Sequence, residues 1–366
     1  MIDGLRIAVV VPAYRVAREV PDVVRAIPAG IDRIIVVDDC SPDDIAAALE
    51  PIADPRVRLV RHEVNQGVGG ATVTGMRTAL EEDVDVVVKC DGDGQMDPAD
   101  IPRLIGPIAS GAAEHVKGSR YHHARELAAM PRGRLIGNIG LTFLTKLCSG
   151  YWNVLDPVNG FFATRADTLA RLPLDQLARR YFFETDLLIR LNIVEARVAD
   201  MPQPARYAGE PSSLSIRRAL FEFPWQLLRG LARRVFWRYL FYDVSPVAVF
   251  GITGALLAMF GVCFGAWQWI VHGMANVPTP LGTIMLAALP LLFGGQLLFQ
   301  AVILDIANTP RASVRTSALI PRLRSARDFA ELANADSSSS GPRPPSEREP
   351  SVSPSSPRPS SSSRER

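Results

Sequence analysis

The sequence contains little cysteine, and its cysteines are far apart. Cys40, Cys90, Cys148 and Cys263 form no C-x-x-C pair. Neither a disulfide framework nor a cysteine-ligated zinc site is therefore indicated. We expect a protein that folds in a reducing compartment.

An excess of charge of one sign is also lacking. The 366 residues include 40 Lys and Arg against 38 Asp and Glu, so the formal net charge is only +2. A chain this balanced has no strong overall field to attract nucleic acid, and we expect no nucleic-acid partner. Hydrophobic residues make up 48% of the chain, enough for the core of one large domain with appendages or of two domains.

The N-terminal region lacks an apolar run long enough for a signal peptide. The run from Ile7 to Val11 is short and is followed by Pro12, which is typical of a first strand. Further short apolar runs alternate with helical patterns up to about residue 210, which predicts an α/β domain with a mainly parallel sheet. The predicted strands are 7–11, 33–37, 57–60 and 84–88.

A polar segment, Asp91-Gly92-Asp93-Gly94-Gln95, follows the last of these runs. In an extended chain the side chains of Asp91, Asp93 and Gln95 point the same way, which places three oxygen ligands in a row. Hard cations such as Mg²⁺ or Mn²⁺ prefer oxygen donors and often bind through one or two carboxylates plus substrate phosphates. The alternative is an acidic turn after a strand, but its position favours a metal site.

Two later segments lack charge altogether. Residues 244–271 and 279–304 contain no Lys, Arg, Asp or Glu, and each is long enough to cross a membrane. The loop between them has no Lys or Arg, whereas arginines precede the first segment and follow the second. By the positive-inside rule the main domain and both termini are expected on the cytosolic side, and we expect a bacterial inner membrane. Gly261 and Gly265 form a small-residue pair that could also support a homo-oligomer.

The segment before the first span, residues 216–242, is rich in arginine and aromatic residues. Pro224 is expected to split it into two helices. Helices of this composition lie in the headgroup plane of a membrane, although a basic helix packed on the main domain is the alternative. At the other end of the chain, residues 336–366 are nearly all Ser, Pro, Arg and Glu and are expected to be disordered.

Seven ordered motifs resemble those of a known family. They are VVVPAYR (9–15), VVDDCSPDD (36–44), NQGVGGATVTGMRTAL (65–80), DGDGQMDPADI (91–101), VKGSRY (116–121), DPVNGFFATR (156–165) and YFFETDLLIRLN (181–192). Together they resemble the family 2 glycosyltransferases of the polyprenyl-phosphate type, the group that includes dolichol-phosphate mannose synthase. The resemblance implies a Rossmann-like type A glycosyltransferase fold, a nucleotide-sugar donor, a divalent metal and inversion at the anomeric carbon.

The resemblance also implies roles for particular residues. It assigns Asp91, Asp93 and Gln95 to the metal, with Asp93 also counted as catalytic. An acidic residue at Asp38 or Asp39 would contact the nucleoside, although a helix N-cap is the structural alternative. Pro12 and Tyr14 are also predicted to bind the donor. Arg120, Arg132 and Arg134 are candidates for binding the donor diphosphate or the acceptor phosphate, and Arg120 is also counted as catalytic. Guanidinium groups suit phosphate oxygens, and Arg120 has the strongest motif support.

The glycines of the NQGVGG segment give only a weak phosphate-loop signal. The spacing lacks the third glycine of a nucleotide-binding fingerprint. Close helix packing near the nucleotide is the favoured interpretation.

The acceptor is less defined than the donor. A lipid phosphate is already anionic, so orientation and charge neutralisation could suffice. A hydroxyl acceptor needs a base, and Glu184 or Asp186 in the FFETD motif is the candidate. The chain departs from the family pattern at 206–218, RYAGEPSSLSIRR, where Ser213 stands in place of an expected lysine, so the sugar and the acceptor stay open.

The leading hypothesis is a membrane-anchored inverting enzyme. It would move a mannose- or glucose-type hexose from a GDP- or UDP-sugar to undecaprenyl or dolichyl phosphate, with Mg²⁺ or Mn²⁺, for a cell-envelope glycan. Transfer to a hydroxyl of a lipid-linked glycan or polysaccharide is the alternative, and a silent membrane scaffold is the third. The expected domains are 1–215 (catalytic), 216–242 (interfacial helices), 243–305 (two transmembrane helices), 306–335 (cytosolic juxtamembrane segment) and 336–366 (tail).

Overall fold

The structure is a computed structural model that describes residues 2, 4–120, 132–203, 216–242 and 244–310. Within these ranges, the side chains at 132–136, 138 and 216–221 are not described. The tail at 336–366, the juxtamembrane segment beyond residue 310 and the departure at Ser213 therefore lie outside the described residues.

In the ranges that the structure describes, seven strands form a single sheet. They are β1 (Ile7–Ala13), β2 (Arg33–Asp38), β3 (Val57–Arg61), β4 (Val86–Lys89), β5 (His115–Ser119), β6 (Phe162–Arg165) and β7 (Val198–Pro202). Their order in the sheet is β3-β2-β1-β4-β6-β5-β7. Only β6 runs against its neighbours, β4 and β5, while the other pairs are parallel. The predicted α/β class with a mainly parallel sheet is confirmed.

Helices cover both faces of this sheet and continue beyond it. They are α1 (Val20–Ala26), α2 (Ile45–Leu49), α3 (Gly67–Glu81), α4 (Ile101–Ala109), α5 (Arg132–Ser149), α6 (Ala166–Ala170), α7 (Phe183–Ile193), α8 (Ile216–Phe236), α9 (Pro246–Ala275) and α10 (Leu281–Ala307). Short 3₁₀ turns lie at Pro98–Asp100 and Leu174–Gln176, and a π-helical turn, Trp237–Phe241, follows α8.

The central strands are buried on both faces. In β1, Ile7, Val9 and Val11 belong to one hydrophobic cluster, whereas Ala8 and Val10 belong to the cluster on the opposite face. This division follows from the two-residue period of a strand, and it explains why the run is continuously apolar rather than alternating. The sheet therefore has a core on each side.

Strand β4 ends at Lys89, two residues before the DGDGQ segment. Asp91, Asp93 and Gln95 thus lie in the turn beyond the strand, where the alternation of a strand does not determine side-chain direction. Their placement at the carboxyl end of a central strand is as predicted. Their relative directions depend on the turn itself.

The predicted break at Pro224 is wrong, because α8 runs through this residue without interruption. A proline inside a helix removes one backbone hydrogen bond and costs about 3 kcal/mol. Tertiary packing on both sides of Pro224 offsets this cost. Phe223 makes an edge contact with Phe182, with ring centroids 5.7 Å apart, and Leu227 is buried in the same cluster.

Helices α9 and α10 are long and apolar enough to cross a membrane. They have 30 and 27 residues, and an 18-residue stretch within each has a mean hydropathy of 2.3 and 1.8, respectively. Glycines let the two helices pack closely on each other. A Cβ added at Gly261 would lie 2.7 Å from the backbone oxygen of Ala287, and one at Gly254 would lie 2.9 Å from that of Gly294. Gly261 therefore serves a contact within the chain.

Candidate active site

A large cleft opens at the carboxyl ends of β1, β2, β4 and β5. Its volume is about 1130 Å³. Because these strands point the same way, the residues that follow each of them meet at one edge of the sheet. The polar residues that line the cleft include Tyr14, Asp39, Asn65, Asp91, Asp93, Gln95, Arg120, Asn159, Arg180, Tyr181 and Glu184.

One wall of the cleft is apolar and comes from two helices. Leu141 and Leu144 line it from α5, and Phe223, Pro224 and Leu227 line it from α8. The cleft thus combines a charged floor with a hydrophobic wall.

The DGDGQ turn lies directly against β1. The backbone nitrogen of Gly92 donates to the oxygen of Pro12 at 3.3 Å, and a Cβ at Gly92 would come within 3.1 Å of that oxygen. One carboxylate oxygen of Asp93 accepts from the backbone nitrogen of Gln95 at 3.0 Å. The turn therefore places Asp91, Asp93 and Gln95 on the cleft together, next to the predicted Pro12.

A buried lysine connects this turn with helix α7. The Nζ atom of Lys89 lies 2.6 Å from Oδ1 of Asp91 and 3.4 Å from Oε1 of Glu184. Burial lowers the pKa of Lys89, but the Asp91 and Glu184 carboxylates outweigh this and raise it above its ordinary value. A Cβ at Gly160 would lie 2.6 Å from this Nζ, so the glycine of DPVNG leaves room for the ion pair.

A second buried lysine lies on β5. The Nζ atom of Lys117 donates to the backbone oxygen of Asn159 at 2.7 Å. Burial lowers the pKa of Lys117 to about 8, although the nearby Glu184 and Asp156 carboxylates oppose the shift. Neither lysine was predicted as a site residue. The sequence signal is weak, because Lys89 only ends an apolar run and Lys117 only stands inside the VKGSRY motif.

Arg120 is held by the DPVNG motif. Its Nε and Nη2 atoms donate to the two carboxylate oxygens of Asp156 at 2.8 and 3.2 Å. Asp156 is fully buried, while the Arg120 side chain is about one-third exposed and lines the cleft. The two-point contact fixes the plane of the guanidinium group.

The two predicted acidic residues after β2 differ in their surroundings. The Asp39 carboxylate accepts from the backbone nitrogens of Gln66 and Gly67, both at 2.8 Å, and lies 2.7 Å from Nδ1 of His62. It lines the cleft at the start of α3. Asp38 is buried, pairs with Arg61 at 3.2 Å and is not among the residues that line the cleft.

The glycines of the NQGVGG segment serve close packing. A Cβ at Gly67 would lie 2.6 Å from the backbone oxygen of Arg179, and one at Gly69 would lie 2.3 Å from that of Ala178. The backbone nitrogen of Gly70 donates to the oxygen of Arg179 at 3.0 Å. This geometry fits close helix packing, which is the interpretation favoured for this motif.

Comparison with known proteins agrees with these motifs. The family described as "Glycosyl transferase family 2" matches residues 8–172. A Methanococcus voltae protein, UDP-N-acetylglucosamine-dolichyl-phosphate N-acetylglucosaminyltransferase, is 33% identical over 217 residues, which are 55% of this chain and 86% of that protein. The chain belongs to glycosyl transferase family 2. The protein is thus a glycosyltransferase.

Other proteins are also similar to this glycosyltransferase. The undecaprenyl-phosphate mannosyltransferase of Micrococcus luteus is 29% identical over 203 residues, covering 54% of this chain and 82% of that protein. Among solved structures, glucosyl-3-phosphoglycerate synthase from Mycobacterium tuberculosis, crystallised with Mn²⁺, UDP-glucose and phosphoglyceric acid, has a TM-score of 0.48 at 23% identity. The match covers 63% of this chain and 80% of that chain.

The two candidate bases of this glycosyltransferase lie in different places. Glu184 lines the cleft. Asp186 is buried, pairs with Arg190 at 3.2 Å and Arg233 at 3.0 Å, and accepts from the backbone nitrogen of Ala178 at 3.0 Å. It is not among the residues that line the cleft.

Arg132 and Arg134 begin helix α5. Their side chains lie outside the described part of the chain, so their relation to the cleft stays a prediction.

The oxygen donors around the DGDGQ turn fit a hard divalent cation. Asp91, Asp93 and Gln95 all line the same cleft and supply only oxygen ligands. In the part of the chain that the structure describes, three His, Cys, Asp or Glu side chains nowhere converge as a ready metal site. A cation here would therefore need oxygens from the substrate, as Mg²⁺ sites on nucleotides commonly do.

Proposed function

We propose that this glycosyltransferase moves a mannose- or glucose-type hexose from a GDP- or UDP-sugar to a polyprenyl phosphate, with inversion at the anomeric carbon. The observation that carries the proposal is the division of one cleft into a charged floor and an apolar wall. Such a cleft suits a reaction between a water-soluble diphosphate and a lipid. The similar proteins from Methanococcus voltae and Micrococcus luteus are named for dolichyl and undecaprenyl phosphate.

The floor supplies the donor site. Asp91, Asp93 and Gln95 would bind Mg²⁺ or Mn²⁺, which neutralises charge on the diphosphate as the nucleotide leaves. Asp39 and Tyr14 line the same cleft, where a nucleoside can stack on the ring and donate hydrogen bonds to the carboxylate. Arg120 presents a guanidinium group of fixed orientation to the phosphates.

The wall supplies the acceptor site. Leu141, Leu144, Phe223 and Leu227 offer apolar surface to the first part of a prenyl chain. A lipid phosphate carries an anionic oxygen at neutral pH, so the acceptor needs positioning more than deprotonation. Glu184, already paired with Lys89, would then act on charge and geometry rather than as a base.

The proposed location is a bacterial inner membrane, with the cleft and both termini on the cytosolic side. Trp225 and Tyr242 are 66% and 70% exposed, and Phe241 is exposed beside them. Aromatic residues of this kind favour the boundary between headgroups and hydrocarbon. In the sequence, arginines lie before α9 and after α10, and the loop between these helices has neither Lys nor Arg.

The proposal is tested with the purified full chain in lipid nanodiscs. It is given radiolabelled GDP- and UDP-hexoses, Mn²⁺ and undecaprenyl or dolichyl phosphate, and chloroform-soluble label is measured. We expect product with at least one donor. Asp93→Asn should lower turnover by about 100-fold or more, since it removes a ligand of the charge-neutralising cation. Asp22→Asn, an exposed carboxylate on α1, is the matched control. Absence of lipid product with every donor, in protein that is folded, would refute the proposal.

Transfer to a sugar hydroxyl is the second candidate, because the Glu184 carboxylate does line the cleft. If Glu184 is a general base, Glu184→Gln should lower kcat by about 100-fold or more while donor binding is retained. If the acceptor is a lipid phosphate, kcat of this variant should fall much less. Asp186→Asn tests the other candidate base. Because Asp186 does not line the cleft, we do not expect this carboxylate to remove the acceptor proton.

A further inference from the structure

Two cations at the cleft, Arg120 and Lys89, already have carboxylate partners. Arg120 is bonded at two points to Asp156, and Lys89 is shared between Asp91 and Glu184. Arg180 differs from them. It is exposed and lines the cleft, and its side chain makes no hydrogen bond or ion pair with any residue that the structure describes. Its charge is therefore left for an anion that enters the cleft.

The backbone that carries Arg180 is fixed from both sides. On one side, Gly67 and Gly69 allow α3 to approach Ala178 and Arg179 closely, and Gly70 donates to Arg179. On the other side, a backbone hydrogen bond of 2.9 Å from Phe183 to the oxygen of Arg180 starts α7. An arginine on such a rigid support loses less freedom when it binds a ligand.

Asp186 connects this support to helix α8. One of its oxygens accepts from the backbone nitrogen of Ala178 at 3.0 Å, and the other lies 3.0 Å from Nη1 of Arg233. Arg233 is on the helix whose residues Phe223 and Leu227 line the apolar wall. A buried carboxylate with these partners is costly to disturb, because each partner would lose a charge-assisted hydrogen bond.

We propose, building on the function proposed above, that Arg180 binds a substrate phosphate group and that Asp186 is the positioning residue for Arg180. The shared ligand chemistry is a phosphate oxygen, which comes either from the donor diphosphate or from the lipid acceptor. Asp186 acts by fixing the segment from Ala178 to Tyr181 against α8. The segment that carries Arg180 is thereby held in a fixed position relative to the apolar wall of the cleft.

Phosphate binding is measured directly on the full chain, without relying on turnover. Calorimetry with UDP or GDP and Mn²⁺ reports the donor side. Native mass spectrometry with undecaprenyl phosphate, compared with undecaprenol, reports the lipid phosphate. Arg180→Met should weaken one of these two phosphate ligands by about tenfold or more. Arg179→Met is the matched control, since Arg179 is also exposed but does not line the cleft, and it should change both affinities by less than about twofold.

The two arms identify the source of the phosphate. A weaker affinity for the nucleoside diphosphate alone assigns Arg180 to the donor, and a weaker affinity for undecaprenyl phosphate with unchanged undecaprenol binding assigns it to the acceptor. Arg180→Lys should recover part of the loss. If Arg180→Met and Arg179→Met change both affinities by the same amount, the inference is wrong. This holds even if the wild-type protein makes lipid product. If the wild-type protein makes no product, the proposed function fails separately.

The positioning role is tested by a double-mutant cycle. Asp186→Asn should weaken the same phosphate ligand as Arg180→Met, and it should have no further effect once Arg180 is replaced. Arg233→Gln provides a second variant that leaves Asp186 in place, and it should give the same non-additivity. Losses that simply add would mean that Asp186 affects only the stability of the fold, and would overturn this part of the inference.

Discussion

Two lysines are fully buried next to the cleft, and they differ in what surrounds them. Lys89 has carboxylates at 2.6 and 3.4 Å, whereas the nearest partner of Lys117 is the neutral backbone oxygen of Asn159. A buried charge without a close counter-charge is unfavourable. This explains why the pKa of Lys89 is raised and that of Lys117 is lowered.

The low pKa of Lys117 predicts a distinct pH dependence of stability. With a pKa of about 8 in the folded protein and about 10.4 in the unfolded chain, the unfolded state binds more protons between these values. The contribution of Lys117 to the free energy of unfolding should therefore rise with pH from about 8 to about 10.4, by at most about 3 kcal/mol. Below pH 8 the contribution should be at its most unfavourable.

This prediction is checked by the midpoint of thermal unfolding from pH 7 to pH 10. Lys117→Met keeps an apolar side chain of similar length in the pocket. The variant should match or exceed the wild-type protein at pH 7, and its advantage should shrink towards pH 10. Parallel profiles for the two proteins would contradict the assignment.

The acidic site residues could be found from the sequence, and the basic ones mostly could not. Asp39, Asp91 and Asp93 stand in polar turns after apolar strands, so topology alone brings them to one edge of the sheet. Lys89 and Lys117 belong to the strands themselves, and only the packed structure shows that their ammonium groups contact residues that line the cleft. Glu184 and Asp186 are two positions apart on a helix and cannot share a face, but the sequence does not tell which face meets the cleft.

At the scale of elements, α8 connects two parts of the molecule through adjacent arginines. Arg233 reaches Asp186 beside the cleft, while Arg234 reaches Asp305 near the end of α10. The Arg234 guanidinium lies 2.6 Å from Oδ1 of Asp305 and is almost fully buried. Tyr239 and Trp152 also donate to this carboxylate, at 2.7 and 2.9 Å. The cluster could not be predicted from the sequence, because Asp305 simply follows a long uncharged run.

Breaking this cluster should destabilise the protein strongly. Asp305→Asn leaves the buried Arg234 without a counter-charge, a change that typically costs about 3–5 kcal/mol. Thermal unfolding in nanodiscs should show a large drop in the midpoint. The double variant Arg234→Met with Asp305→Leu should recover much of it, because an apolar pair needs no desolvated charge. Asp83→Asn, an exposed partner of Arg6, serves as control and should change little.

At the scale of the whole molecule, the proposed orientation predicts a labelling pattern. Val277 lies exposed in the connection between α9 and α10, and Arg25 lies exposed on α1 of the catalytic domain. In a background with Cys40→Ser and Cys263→Ala, Val277→Cys should react with a membrane-impermeant maleimide in right-side-out vesicles. Arg25→Cys should react only in inverted vesicles. The reverse pattern would contradict a cytosolic cleft.

The order of elements was largely predictable, and their junctions were not. Strand positions and the two long apolar helices follow from local periodicity and length, which a single sequence displays directly. The continuity of α8 through Pro224 depends on Phe182, which lies about 40 positions away in the chain. Contacts between residues so far apart in the chain determine how the domain and the apolar helices join. Patterns within a short stretch of sequence do not predict such contacts.

The bonds that α8 makes on both sides have a consequence for substrate choice. With Arg233 fixed to Asp186 and Arg234 fixed to Asp305, the cleft cannot rise or tilt relative to the end of α10 without separating a buried ion pair. The reacting centre of a membrane-anchored enzyme then stays at a constant height, and the acceptor has to come to it. For the proposed polyprenyl phosphate acceptor, the isoprene units next to the phosphate would be the part of the lipid that contacts the cleft. Selection would therefore depend on the head of the lipid and hardly on the number of units in its tail.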